Sequence, residues 1–225
     1  MRHMIAVAGI LVTLATTDLD AGIVTRVLDG YDTASTSQMI GDRQVQSNEF
    51  ANAFGLDSSF THDPGFDSGN DLGALVMSAD PGVGRSGSVV YNNNGAGLNF
   101  DATGMMVGGF GMSFASVDQP FVMQFIMSTF NSAGEVRGFV LWAIQVDQGM
   151  NVDEFWDLQN FTTSGGVFQF SNVDEIEIRF NVGNNPPGIG VDFVATELTT
   201  TIIPAPSSVV ALGVAGCLAS RRRRS

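Results

Sequence analysis

The sequence predicts an all-β protein built as an antiparallel β-sandwich, and three observations lead there. Twenty-seven glycines divide the 225 residues into pieces of strand length. In the clearest piece, apolar and polar residues alternate with period two. No segments of helical period recur between the strands, as a parallel α/β sheet would require.

Gly22 to Leu28 reads as the first strand, and Asp29, Gly30, Tyr31 and Asp32 as a carboxylate-rich turn after it. Asn48 to Phe54 reads as a helical turn, because Phe50 and Phe54 are spaced i,i+4. His62 to Leu72 reads as a loop punctuated by Pro64, Gly65 and Gly69. Strands follow at Leu75 to Ser78, Gly87 to Asn92 and Ala96 to Thr103, the last with Leu98, Phe100 and Ala102 on one face. Met105 to Ser116 places Phe110, Met112 and Phe114 on one side. Phe121 to Phe130 and Arg137 to Val146 are apolar on both faces, which marks central strands, and Asn131 to Gly134 joins them as a hairpin loop.

Val173 to Val182 alternates most regularly, with Ile176, Ile178, Phe180 and Val182 inward and Glu175, Glu177, Arg179 and Asn181 outward. Ile189 to Leu198 closes the sandwich with Ile189, Val191 and Phe193 inward, and Thr199 to Thr201 reads as a spacer.

The segment Phe155, Trp156, Leu158, Phe161, then Phe170, Ser171, Val173 and Ile176, ending in Asp192 and Phe193, resembles galactose-binding-like jelly rolls of exported bacterial proteins. That resemblance implies a jelly-roll-like sandwich and a structural calcium held by Asp29, Asp32 and Asp192, on neighbouring first and last strands. Asp63, Asp67 and Asp71, with Asn70, form a second candidate Ca2+ group in one glycine-rich loop. Asp and Gly in those places also serve ordinary turns.

Flanking segments carry an address. Met1 to Ala15 pairs a cationic start with an apolar run, the form of a secretory signal. At the other end Pro204, Ala205, Pro206 and Ser207 precede a small-residue apolar run, and Arg221, Arg222, Arg223 and Arg224 follow it. This order resembles the PEP-CTERM sorting signals of bacterial surface proteins. It implies processing by an exosortase-like membrane enzyme, with the membrane reached through the tail and the arginines on the cytoplasmic side. The expected organisation is a signal peptide with a short helix at 1–21, the sandwich at 22–199, and a linker plus sorting tail at 200–225. The tail's apolar helix is expected at 207–220 and its Arg cluster at 221–224.

Composition restricts the chemistry. The formal charge is −13, there is no lysine, and outside the two ends only Arg26, Arg43, Arg85, Arg137 and Arg179 are basic. Such a surface repels phosphate backbones, so nucleic acid is excluded as a partner. Cys217, the sole cysteine, lies in the apolar tail, so no intramolecular disulfide or cysteine–histidine catalysis is available. His62 is the only histidine apart from the leader's His3 and reads as a solvated loop residue, which leaves no multi-histidine zinc site. Glu154 with Asp157, or Glu175 with Glu177, could in principle act as a hydrolytic carboxylate pair, although the latter two point to the wet face.

Trp156 and Tyr31 are the candidate sugar-stacking platforms, Trp156 partly exposed, whereas Trp142 and most phenylalanines are expected in the core. The expected role is an exported, non-enzymatic surface or extracellular-matrix protein associating with polysaccharide. A carbohydrate-binding jelly roll, calcium-stabilised or not, is the alternative, and a carboxylate glycoside hydrolase the third reading.

Overall fold

The computed structural model describes residues 24–32, 36–37, 41–67, 72–104, 107–183 and 190–203. The segments expected to form the two flanking helices, Ile189 and the tail residues Pro204, Ala205, Pro206, Ser207 and Arg221 to Arg224 lie outside the described residues.

Alternation drives thirteen described strands into two antiparallel sheets. They are β1 (Val24–Asp29), β2 (Thr36–Ser37), β3 (Gly41–Asn52), β4 (Ser58–Asp67), β5 (Leu72–Ala79), β6 (Val83–Tyr91) and β7 (Val107–Val117). The remainder are β8 (Phe121–Phe130), β9 (Val136–Val146), β10 (Gly149–Asp157), β11 (Thr162–Gly166), β12 (Glu175–Phe180) and β13 (Phe193–Ile202). One sheet runs β10-β7-β13-β5-β4, with β1 also paired to β13; the other runs β11-β9-β8-β12-β6-β3-β2. The predicted all-β sandwich is therefore observed, with β8 and β9 inside their sheet and joined by the expected hairpin loop.

Phenylalanine fills the space between the sheets. Phe121 stacks on Phe193 at 5.0 Å and Phe110 on Phe125 at 4.6 Å, each pair bridging strands of opposite sheets. Phe60 meets Phe180 at 5.4 Å and lies over Gly87, where a Cβ would come within 2.3 Å of its ring. Glycine in β6 is thus required by the close approach of an aromatic ring from the facing sheet.

Several elements differ from the sequence reading. Asn48 to Phe54 forms no helical turn: β3 continues through Asn52, because its pairing with β6 from Arg43 to Asn52 outweighs the local i,i+4 spacing. His62 to Leu72 is not all loop, since β4 reaches Asp67. Pro64 is accommodated because β4 is a sheet edge and its register breaks between Asp63 and Asp67. Ala96 to Thr103 is not a strand. Asn93, Asn94 and Asn99 adopt left-handed backbone angles, and a single bridge joins Phe100 to Val173. Leu98, Phe100 and Ala102 nevertheless pack on the core as their shared face indicates. Thr199 to Thr201 is no spacer: β13 runs to Ile202, and Thr200 is buried with its hydroxyl donating to the Gly109 carbonyl at 2.9 Å.

Trp142 is half-buried, packed on the core and edge-on to Phe161 at 5.9 Å. Trp156 is fully buried, its ring 5.1 Å from Phe125. Trp156→Ala is expected to cost about 3–5 kcal/mol through the cavity left between the sheets, read as a lowered urea midpoint.

Candidate functional site

The stacking platforms expected from sequence are not on the surface. Trp156 belongs to the core, because its position on β10 alternates inward while Phe155 alternates outward. Tyr31 is also fully buried, with a left-handed φ of 56°. It joins a polar cluster built from four segments. The Asp29 carboxylate accepts from the Tyr31 amide at 2.9 Å, the Tyr91 hydroxyl at 2.8 Å and Arg43 Nη1 at 2.5 Å. The Arg43 guanidinium lies 5.1 Å from the Tyr31 ring centroid, and burial pushes both tyrosine hydroxyl pKa values up.

This arrangement opposes the calcium reading. The charge of Asp29 is matched by a guanidinium and both carboxylate oxygens accept hydrogen bonds. β1 and β13 are neighbours as expected, but Asp29 pairs with Leu198, six residues and about 20 Å along an extended strand from Asp192. Asp192 instead accepts from the Ala79 amide at 2.7 Å, while its own amide donates to Asp118. Asp32 continues the turn after Tyr31. Asp63 accepts from the Gly65 amide at 3.0 Å, as a turn residue does. The side chains of Asp67 and Asp71 lie outside the described residues. Among the described residues no group of three or more His, Cys, Asp or Glu is placed to hold a metal ion.

His62 is not a solvated loop residue. It lies on β4 with Nε2 2.6 Å from the Tyr31 carbonyl and 2.9 Å from Arg43 Nη2. Burial, then the Arg43 charge, lowers its pKa against the opposing pull of the Tyr31 carbonyl, Asp29 and Asp63. The unfolded chain therefore binds a proton near pH 6.5 that the folded chain refuses. Stability is expected to fall as pH drops from 7 through 6.5 toward the lower folded value. Thermal melts at stepped pH check this, and a His62→Gln variant is expected to flatten that slope.

Three of the four proposed hydrolytic carboxylates, Asp157, Glu175 and Glu177, are engaged elsewhere. Asp157 caps the 3-10 turn Leu158–Asn160 by accepting from the Gln159 amide at 2.9 Å. Glu154 has its pKa raised by burial and by Asp147 and Asp153. Glu175 accepts from Asn92 at 3.0 Å, and Glu177 holds Arg179 in a two-point ion pair at 2.8 and 2.7 Å.

That ion pair lies in the feature which sequence reasoning missed. On the outer face of the second sheet, strand register aligns Gln46 with Ser88, Ser88 with Arg179 and Arg179 with Gln124. A cleft of about 360 Å³ opens here over β3, β6 and β12, with Asn48 and Ser86 beside that row. Asn181, at a left-handed φ of 54°, closes one end and donates to the Arg85 carbonyl at 2.6 Å. Phe50 supplies the cleft's half-exposed aromatic wall. It is the unopposed residue where the register slips between Glu49 and Ala51, and the bulge turns its ring across Gly84. The signal was present in the outward set Glu177 and Arg179, but it read as ordinary wet-face solvation until β3 and β6 were aligned beside it.

The cleft presents amide, hydroxyl, carboxylate and guanidinium groups in a shallow row with one aromatic wall. Such a surface suits a polar chain lying along it. No family model matches the chain, and no curated protein matches it. Solved structures match in fold. The family 11 carbohydrate-binding module of the cellulosomal cellulase Lic26A-Cel5E of Clostridium thermocellum is 13% identical, with 81% of this chain and 96% of that one covered at a TM-score of 0.50. CtCBM11 in solution is 16% identical, with 80% and 95% covered, also at 0.50. At these identities the likeness is one of fold.

Proposed function

We propose that this chain is a non-catalytic polysaccharide-binding module that takes a neutral glycan chain in the cleft over β3, β6 and β12. The observation that carries the reading is the polar row Gln46, Ser88 and Arg179 on the floor of a cleft that Phe50 also lines. Its hydrogen-bonding groups match a sugar's hydroxyls, and the ring matches a pyranose face. Charge selects against acidic glycans. The Arg179 guanidinium is already paired with Glu177, Arg85 nearby with Glu49, and the protein's formal charge is −13.

Sequence supplies the setting. The leader and the Pro204 to Ser225 tail support a protein exported and sorted at the cell envelope, where an exosortase-like enzyme processes it. Val24 pairs with Ile202 at one end of the sandwich, whereas the cleft residue Val182 bonds to Val122 near the opposite end. Deleting Pro204 to Ser225 is expected to move the protein out of its envelope fraction; unchanged fractionation contradicts the sorting role.

Native gel electrophoresis through neutral polysaccharides tests the binding role. Hydroxyethylcellulose, mixed-linkage β-glucan, xylan and galactomannan form the panel, with polygalacturonate as the acidic control. Retardation by a neutral polymer, weakened in Arg179→Ala, is the expected result. Equal mobility in every gel overturns the proposal.

A further inference from the structure

The β3–β4 connection carries an apolar feature that the cleft alone does not explain. Phe54 is 80% exposed, and Leu56 beside it 37%. Single exposed apolar side chains are ordinary, but Phe50, Phe54 and Leu56 fall within one short stretch and are all exposed, and such a cluster is what a contact surface presents. The place is ordered by hydrogen bonds. Asn52 Nδ2 donates to the Leu56 carbonyl at 2.8 Å, and the Leu56 amide donates back to Asn52 Oδ1 at 2.8 Å. The same Asn52 amide donates to Glu49 at 3.1 Å, and Glu49 in turn accepts from Ser58 and Arg85. Gly55, at a φ of 66°, completes the turn that Asn52 closes.

Position gives the meaning. Gly84, Ser86 and Ser88 occupy alternate positions along β6 into the cleft, and Gly82, at a φ of 97°, lies in the turn just before that strand. The Phe50 ring crosses Gly84, where a Cβ would come within 2.4 Å of it, and the Phe54 ring reaches the Cβ position of Gly82 at 4.0 Å. Two rings thus stand over two side-chain-free positions, one on β6 and one in the turn before it, on the strand direction that meets the polar row at Ser88.

We infer that Phe54 and Phe50 form an aromatic lip extending the cleft, on which the apolar face of a further sugar of the same neutral glycan stacks. This rests on the glycan-binding reading of the cleft. Asn52 is the positioning residue: it fixes the turn before binding, so little conformational freedom is lost when the sugar arrives. A lipid surface fits less well, because Glu49, Asp57 and Asp80 surround the connection and oppose an anionic headgroup layer.

The test measures affinity of the full-length protein and its variants for the polysaccharide that retards the parent most, by electrophoresis at graded polymer concentration. Phe54→Ala is expected to weaken binding roughly 3- to 10-fold with an unchanged melting temperature, and Phe54→Tyr to restore it. Asn52→Ala is expected to weaken binding with both rings present. Full affinity in Phe54→Ala overturns the lip while leaving the cleft reading intact. No binding by the parent overturns the cleft reading, and the lip with it. Flotation with zwitterionic phosphatidylcholine vesicles that is lost in Phe54→Ala assigns the rings to lipid and also overturns the lip.

Discussion

Arg43→Met is expected to unfold about 3–5 kcal/mol more easily than the parent, because it strands the buried Asp29 carboxylate without its counter-charge. Both side chains of this pair are fully buried. Asp29 would retain the Tyr91 hydroxyl and the Tyr31 amide, which are two neutral donors for one charge. His62 would lose Arg43 as well, leaving the Tyr31 carbonyl as its close partner. The double variant Asp29→Asn, Arg43→Met is expected to recover part of the loss, since it removes the orphaned charge while preserving an acceptor for Tyr31. Urea unfolding followed by tryptophan fluorescence measures all three proteins. A single variant as stable as the parent contradicts the role given to this cluster.

The second large effect is on binding. Ser88→Ala combined with Arg179→Ala removes two adjacent groups from the row and leaves Glu177 without its ion-pair partner. Loss of one charged and one neutral hydrogen bond is expected to lower glycan affinity by roughly 30- to 1000-fold. Stability is expected to change little, because the Glu177–Arg179 pair lies on the solvent face and Arg179 is 47% exposed. Separation of these two readouts distinguishes a ligand-binding row from a structural one.

The sandwich was legible because alternation from Glu175 to Phe180 and the two-sided apolarity of Phe121 to Phe130 state burial directly; beyond Phe180 the expected alternation fails, since Asn181 turns to a left-handed φ and is buried while Val182 lines the outer cleft. The elements misread were those whose state depends on a distant partner. Phe50 and Phe54 have helical spacing, yet β6 supplies nine residue pairings that hold β3 extended. Pro64 signals a loop, yet an edge strand has no ladder partner for its missing amide to disappoint. Thr199 to Thr201 looks like a polar spacer, but β13 has neighbours on both sides and the Thr200 hydroxyl satisfies itself on a carbonyl.

The site was less legible for a related reason. Tyr31, Asp29 and Asp32 lie together in sequence near a turn, which suggested an exposed platform or a calcium group. What burial and Arg43 make of them is a folded-state property, since Arg43 is fourteen residues away and His62 nineteen beyond it. The cleft is assembled from single outward residues on separate strands, each unremarked alone. Only the register that brings Gln46, Ser88, Arg179 and Gln124 into one row turns them into a surface.

The most direct measurement of glycan binding in that cleft is an amide chemical-shift titration of the protein with oligosaccharides cut from the polymer that retards it. Shifts confined to Gln46 to Leu56, Gly82 to Ser88 and Glu177 to Gly183 are expected. Shifts centred instead on β7, β10 and β13 of the opposite sheet, or none at saturating oligosaccharide, contradict it.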